Sequence, residues 1–120
     1  MITNFEDLTC DLTYEERKIF LPFICTLLED HEGKDRAITN KRIRQLLENQ
    51  NLKITGVRVR KIINIIRNKD IVPCLVSSRR GYYVSRNKDE IDRCIQSLTE
   101  RCRAIWQVAE SLKRQKQEMP

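Results

Sequence analysis

The chain has 120 residues, 40% hydrophobic and 33% charged, with a formal net charge of +6. That length holds one domain with an appendage, and the apolar content is enough for one core. No apolar run reaches the roughly 20 residues of a membrane-spanning helix, and the opening MITNFEDLTCDL lacks the basic and apolar regions of a signal peptide, so a soluble, cytoplasmic protein without a membrane partner is expected.

The charge is unevenly spread. Residues 1–33 carry eight acidic and two basic side chains, residues 34–88 three acidic and fifteen basic, and residues 89–120 six of each. The middle segment therefore holds +12 while the first holds −6. A focused positive block attracts polyanions, whereas a merely solvated face mixes both signs. Residues 1–12 read as an acidic N-terminal arm, 13–86 as the domain and 87–120 as a C-terminal amphipathic helix.

Thr13-Tyr14-Glu15-Glu16 has the spacing of a capping box, so a helix is expected from there to about Asp30. Phe20, Phe23, Ile24, Leu27 and Leu28 form its apolar stripe. Pro22 falls inside that stripe and either kinks the helix or starts a second one. Continuity of the stripe favours the kink. His31 to Asp35 reads as a polar loop.

Thr39 caps a second helix over Asn40 to about Asn49, with Ile43, Leu46 and Leu47 inward and Lys41, Arg42 and Arg44 on the other side. Gln50 to Lys53 make a turn. Thr55 then caps a third helix with Gly56 in its first position. Val59, Ile62, Ile63 and Ile66 recur at the spacing of one buried helical face. Val57, Lys61, Asn64 and Asn68 centre the opposite face, with Arg60 beside it and Arg58 on a flank nearer the core. Ile65 also falls toward the exposed side.

Val72 to Val76 has strand composition, with Pro73 restricting it to an edge or its first residues. Ser77-Ser78-Arg79-Arg80-Gly81 turns the chain, and Tyr82-Tyr83-Val84 returns as a second strand. Alternation sends one of Tyr82 and Tyr83 to the core and exposes the other. A lone ribbon of this size is marginal and must pack on the helices.

The last helix is expected from Lys88 or Asp89 to about Gln117. Its apolar residues Ile91, Ile95, Leu98, Cys102, Ile105, Ala109 and Leu112 alternate by four and three, which is heptad spacing. Cys94, Trp106 and Val108 widen that seam. Strict heptads suit pairing with a second copy of the chain. The wide stripe and the small Cys102 and Ala109 suit docking on the chain's own domain, and a different protein partner is the third alternative.

The five cysteines, Cys10, Cys25, Cys74, Cys94 and Cys102, are odd in number and lack Cys-x-x-Cys spacing. Cys25, Cys74 and Cys102 lie among apolar residues, so buried or inert thiols are expected rather than a zinc site or a disulfide framework. The only histidine, His31, stands in EDHEG, where consecutive loop carboxylates rarely converge on one ion. There is no phosphate-cradling glycine loop, nucleophile elbow or paired metal motif. No enzyme activity, small-molecule substrate, metal or other cofactor is indicated.

The segments ITNKRIRQLL, ITGVRVRKIINIIR and RRGYYV, followed by a helix with an acidic start, resemble small winged helix-turn-helix proteins of bacteriophages and prophages. The resemblance covers most of the chain from about residue 13. It implies a mainly α fold with a small β-hairpin and a cytoplasmic DNA-binding role in phage replication or gene control.

In such a fold the second helix of the pair enters the major groove of double-stranded DNA. Arg60 or Lys61 would then donate to guanine, Asn64 would pair with adenine, and Val57 would meet a thymine methyl. Thr55, Arg58, Lys41, Arg42 and Arg44 suit phosphate contacts. Gly56 suits either a close phosphate at the helix N-terminus or a close crossing of two helices. Arg79 and Arg80 at the hairpin tip suit the backbone or the minor groove. The competing expectation is a protein-interaction module whose basic segment receives an acidic partner.

Overall fold

The computed structural model describes residues 11–120. Ten of the twelve residues expected to form the acidic arm, with Cys10 among them, therefore lie outside the described residues. The chain divides into two compact units, one ending at Arg86 and one beginning at Asn87. Among the described residues the first holds three main helices, a short 3-10 turn and a two-stranded antiparallel hairpin, and the second is one long helix.

Helix α1 covers residues 14–29. Its capping box is complete: the Thr13 N–H donates to Glu16 Oε1 at 2.8 Å and the Glu16 N–H to Thr13 Oγ1 at 3.1 Å. The stretch Glu16–Phe20 is a π-helical turn, after which Leu21–Glu29 is α-helical. The N–H of Leu21 reaches back five residues to the Glu16 carbonyl. Pro22, which has no N–H to donate, follows directly. At the expected kink the helix thus carries a widened turn, and the backbone remains right-handed helical at Glu15, Phe20 and Leu21.

Helices α2 (Asn40–Glu48) and α3 (Gly56–Asn68) begin at the expected threonines. Thr39 Oγ1 accepts from the Arg42 N–H at 3.1 Å, and Thr55 Oγ1 from the Arg58 N–H at 3.2 Å. Each such cap stabilises its helix by about 1 kcal/mol. The core joins Leu12, Phe20, Ile24 and Leu28 to Ile43, Leu47, Val59, Ile62, Ile63 and Ile66. The stripes read from helical spacing are therefore the faces that are buried. Ile65 is half-buried and packs against the same core.

Strands β1 (Leu75–Ser78) and β2 (Gly81–Val84) pair with Leu75 opposite Val84 and Ser78 opposite Gly81. The first strand starts three residues later than its composition suggests. Pro73 and Cys74 occupy a turn, with Cys74 at φ 61°, and neither continues an extended chain. The marginal ribbon gains a third lane from residues 31–38. Ile38 exchanges both backbone hydrogen bonds with Tyr82, at 2.9 and 2.7 Å. The Val84 N–H donates to the His31 carbonyl at 2.8 Å, and the Gly33 N–H to the Val84 carbonyl at 2.9 Å. Gly81, at φ +122°, lies so close to Ile38 that a Cβ there would overlap the Ile38 carbonyl.

The second unit is helix α4, Lys88–Gln117. Asn87 caps it by accepting from the N–H groups of Asp89 at 2.8 Å and Glu90 at 3.3 Å. Its 30 residues span about 45 Å. Among the described residues no helix is long and apolar enough to cross a membrane.

The described cysteines, expected to be buried or inert, are all free thiols of unequal exposure. Cys25 is buried, and burial pushes its thiol up from the ordinary range. Cys74 and Cys102 are exposed and Cys94 is half-buried. Apolar neighbours in sequence did not translate into cover, because Cys74 sits on a turn and Cys102 on a helix with no buried residue.

Candidate nucleic-acid interface

The face of α3 opposite its buried isoleucines carries the four residues expected to read bases. Arg60 and Asn64 are exposed, and Val57 and Lys61 are half-exposed. Their spacing of three and four residues sets them on one face, near the N-terminal half of the helix. That face offers cationic donors, a bidentate amide and an apolar contact.

The residues expected to touch phosphate divide into two groups. Lys41 and Arg42 are exposed near the start of α2, and Thr55 is exposed at the cap of α3. The others are engaged inside the domain. Arg44 is half-buried, and its Nε donates to Asn40 Oδ1 at 3.1 Å. Asn40 Nδ2 donates in turn to the Gly56 carbonyl at 2.9 Å. A Cβ at Gly56 would stand 3.2 Å from Asn40 Oδ1. A side chain there would crowd the α2–α3 contact, in keeping with the helix-crossing reading of Gly56.

Arg58 is a correction. Its guanidinium is turned into the domain and holds Glu16 with two hydrogen bonds, Nε to Oε2 at 2.9 Å and Nη2 to Oε1 at 2.7 Å. A third bond runs from Nη2 to the Asp11 carbonyl at 3.0 Å. The two side chains are only 13% and 9% exposed. The hydrogen bonds from Arg58 hold the Glu16 carboxyl below its ordinary range, against the opposing effect of burial. Arg58 is a structural cation, and it leaves the phosphate set.

Arg36 is an exposed cation near Arg42 that the sequence reading did not single out. It ends the short 3-10 turn Lys34–Arg36. With Arg42, His31, Ala37, Ile38 and Thr39 it lines an open recess of about 330 Å³ beside the start of α2. Its sequence signal was its place three residues ahead of the Thr39 cap. The ring Nδ1 of His31 is hydrogen-bonded to the Leu27 carbonyl at 2.7 Å. Among the described residues no group of three or more His, Cys, Asp or Glu side chains is arranged to hold a metal ion.

At the hairpin tip Arg79 and Arg80 are both exposed. Ser78 Oγ organises the turn by accepting from the Arg80 N–H and donating to the Gly81 carbonyl, each at 3.2 Å. Arg80 Nη1 lies 3.3 Å from Asp35 Oδ1, with both side chains largely in solvent. Such a pair is weak and exchangeable. Tyr83 is the buried tyrosine, and Tyr82 is half-buried against the core. In the seam of α4, Ile91 is half-buried and Ile95, Leu98, Cys102, Ile105, Ala109 and Leu112 are exposed.

No protein-family model, curated protein or solved structure matches this chain significantly.

Proposed function

We propose that residues 13–86 are a winged helix that binds double-stranded DNA in a sequence-specific way. In this reading α3 lies in the major groove, with Arg60, Lys61, Asn64 and Val57 toward base edges. Arg36, Lys41 and Arg42 contact phosphates, and Arg79 and Arg80 on the wing contact the backbone or the minor groove. The observation that carries the reading is the outer face of α3. It combines base-reading side chains with a +12 segment whose exposed cations also come from α2 and the hairpin tip. The resemblance to phage winged-helix proteins supports a role in phage or prophage replication or gene control.

Selection from a random duplex pool at about 100 mM salt, followed by sequencing, tests the proposal. A recovered motif is the expected result. Binding without enrichment would reassign α3 to phosphate contacts. Absence of any duplex binding would overturn the reading and turn attention to an acidic protein partner.

A further inference from the structure

Helix α4 presents an apolar face without cover. None of its residues is buried. Ile95, Leu98, Ile105, Trp106, Val108 and Leu112 are between 41% and 71% exposed. An amphipathic helix is stabilised when that stripe is covered, and a seam alternating by four and three residues matches a second helix. Beside Cys102, the side chains of Leu98, Thr99, Arg103 and Trp106 bound an open hollow of about 530 Å³. A side chain from a facing helix fits a hole of this kind.

Charge selects the occupant and its direction. Residues 88–100 hold four carboxylates and two cations, whereas residues 101–117 hold five cations and one carboxylate. Two parallel copies would set the acidic halves together and the basic halves together. Two antiparallel copies set each acidic half against a basic one, and their helix dipoles also oppose.

We propose that α4 pairs with the same helix of a second copy in antiparallel orientation. The heptad positions align when Ile95 faces the partner's Leu112, Leu98 faces the partner's Ala109 and Cys102 faces the partner's Ile105. That register also brings Asp92 beside the partner's Lys113 at both ends of the pair. The small Cys102 and Ala109 each meet a larger side chain, which interdigitated packing favours. The pairing concerns α4 alone and is independent of the duplex reading.

Sedimentation equilibrium of the full, reduced chain is the first test, and a dimer is expected. A monomer at about 100 µM would overturn the proposal, whether α4 docks on its own chain or awaits another protein. Direction and register are read by cross-linking. The five cysteines are replaced, and Ile95→Cys and Leu112→Cys are introduced. These positions lie about 25 Å apart along one helix and cannot bridge within a chain. Oxidation is expected to join position 95 of one copy to position 112 of the other. Links of 95 to 95 and 112 to 112 would overturn the direction, and a dimer without links would overturn the register. The native-cysteine chain supplies an independent check. Asp92→Lys and Lys113→Asp should each weaken dimerisation about tenfold, and the double variant should restore it. No recovery in the double variant would overturn the pairing of those two positions.

Discussion

Arg58 and Glu16, 42 residues apart in sequence, meet as a two-point ion pair that ties α3 to the first turn of α1. The same carboxylate closes the capping box by accepting from the Thr13 N–H. One glutamate therefore caps the start of a helix and fixes that helix against the one proposed to read DNA. Burial of two charges is tolerated here because both carboxylate oxygens and the guanidinium are hydrogen-bonded.

Removing one partner should be expensive. Arg58→Ala leaves Glu16 in a largely buried position without its countercharge, and the expected loss is about 3 kcal/mol of folding stability. Urea denaturation followed by circular dichroism measures it. A loss below about 1 kcal/mol would mean that the carboxylate relaxes into water and that the pair behaves as a surface one.

Acid should find the same weak point. The carboxyl of Glu16 is held below its ordinary value of 4.5 by the Arg58 hydrogen bonds. A depressed folded value adds stability that is fully present above the unfolded value. It is lost as the pH falls from about 4.5 through the lower folded value. Glu16→Gln keeps a capping-box acceptor and abolishes the titration. Denaturation curves between pH 7 and pH 3 should therefore be flatter in Glu16→Gln than in the parent over that window. Parallel curves would assign the acid sensitivity to other carboxylates.

Much of this fold was legible because its signals are local. Thr13, Thr39, Thr55 and the isoleucines of α3 act on neighbours within one or two turns, and their helices start and bury as expected. What could not be read depends on distant partners. Arg58 has the spacing of a flank residue, and only the folded chain brings Glu16 to it. The loop at residues 31–38 has no strand composition, yet it pairs with β2 because Tyr82 and Val84 have backbone groups free on that edge. The π-helical turn ahead of Pro22 likewise reflects how α1 accommodates a proline, which apolar periodicity does not encode. For the candidate interface, the outer face of α3 followed from helical angle alone, whereas the engagement of Arg44 and Gly56 required the α2–α3 contact through Asn40.

The glycines of the first unit should rank by surroundings rather than by backbone angle. Gly81 at φ +122° is pressed against the Ile38 backbone, while Gly33 at φ +91° has open space around its Cβ position. Gly81→Ala then combines backbone strain with displacement of the strand pairing, for an expected cost above about 2 kcal/mol. Gly33→Ala carries strain alone, roughly 1 kcal/mol. Thermal unfolding of the two variants checks the order, and equal losses would remove the Ile38 contact as the cause.

Binding measurements can separate the cations by role. With Arg44 and Arg58 engaged inside the domain, Arg36, Lys41, Arg42, Arg79 and Arg80 remain as candidates for phosphate contact. Five neutralised phosphates give a slope of log affinity against log salt of about −4.5. Arg79→Ala should weaken all duplexes alike and reduce the steepness by about 1. Arg60→Ala should instead relax preference at one base position, at a cost of about 1–3 kcal/mol for the cognate duplex. Arg58→Ala, tested below its unfolding transition, should leave the slope unchanged because its guanidinium already serves Glu16. Fluorescence anisotropy on cognate and scrambled duplexes between 50 and 200 mM salt distinguishes the three, within a salt range where phosphate contacts dominate the change. If Arg60→Ala and Arg79→Ala lost affinity equally on both duplexes, α3 would be a phosphate-binding helix and not a base-reading one.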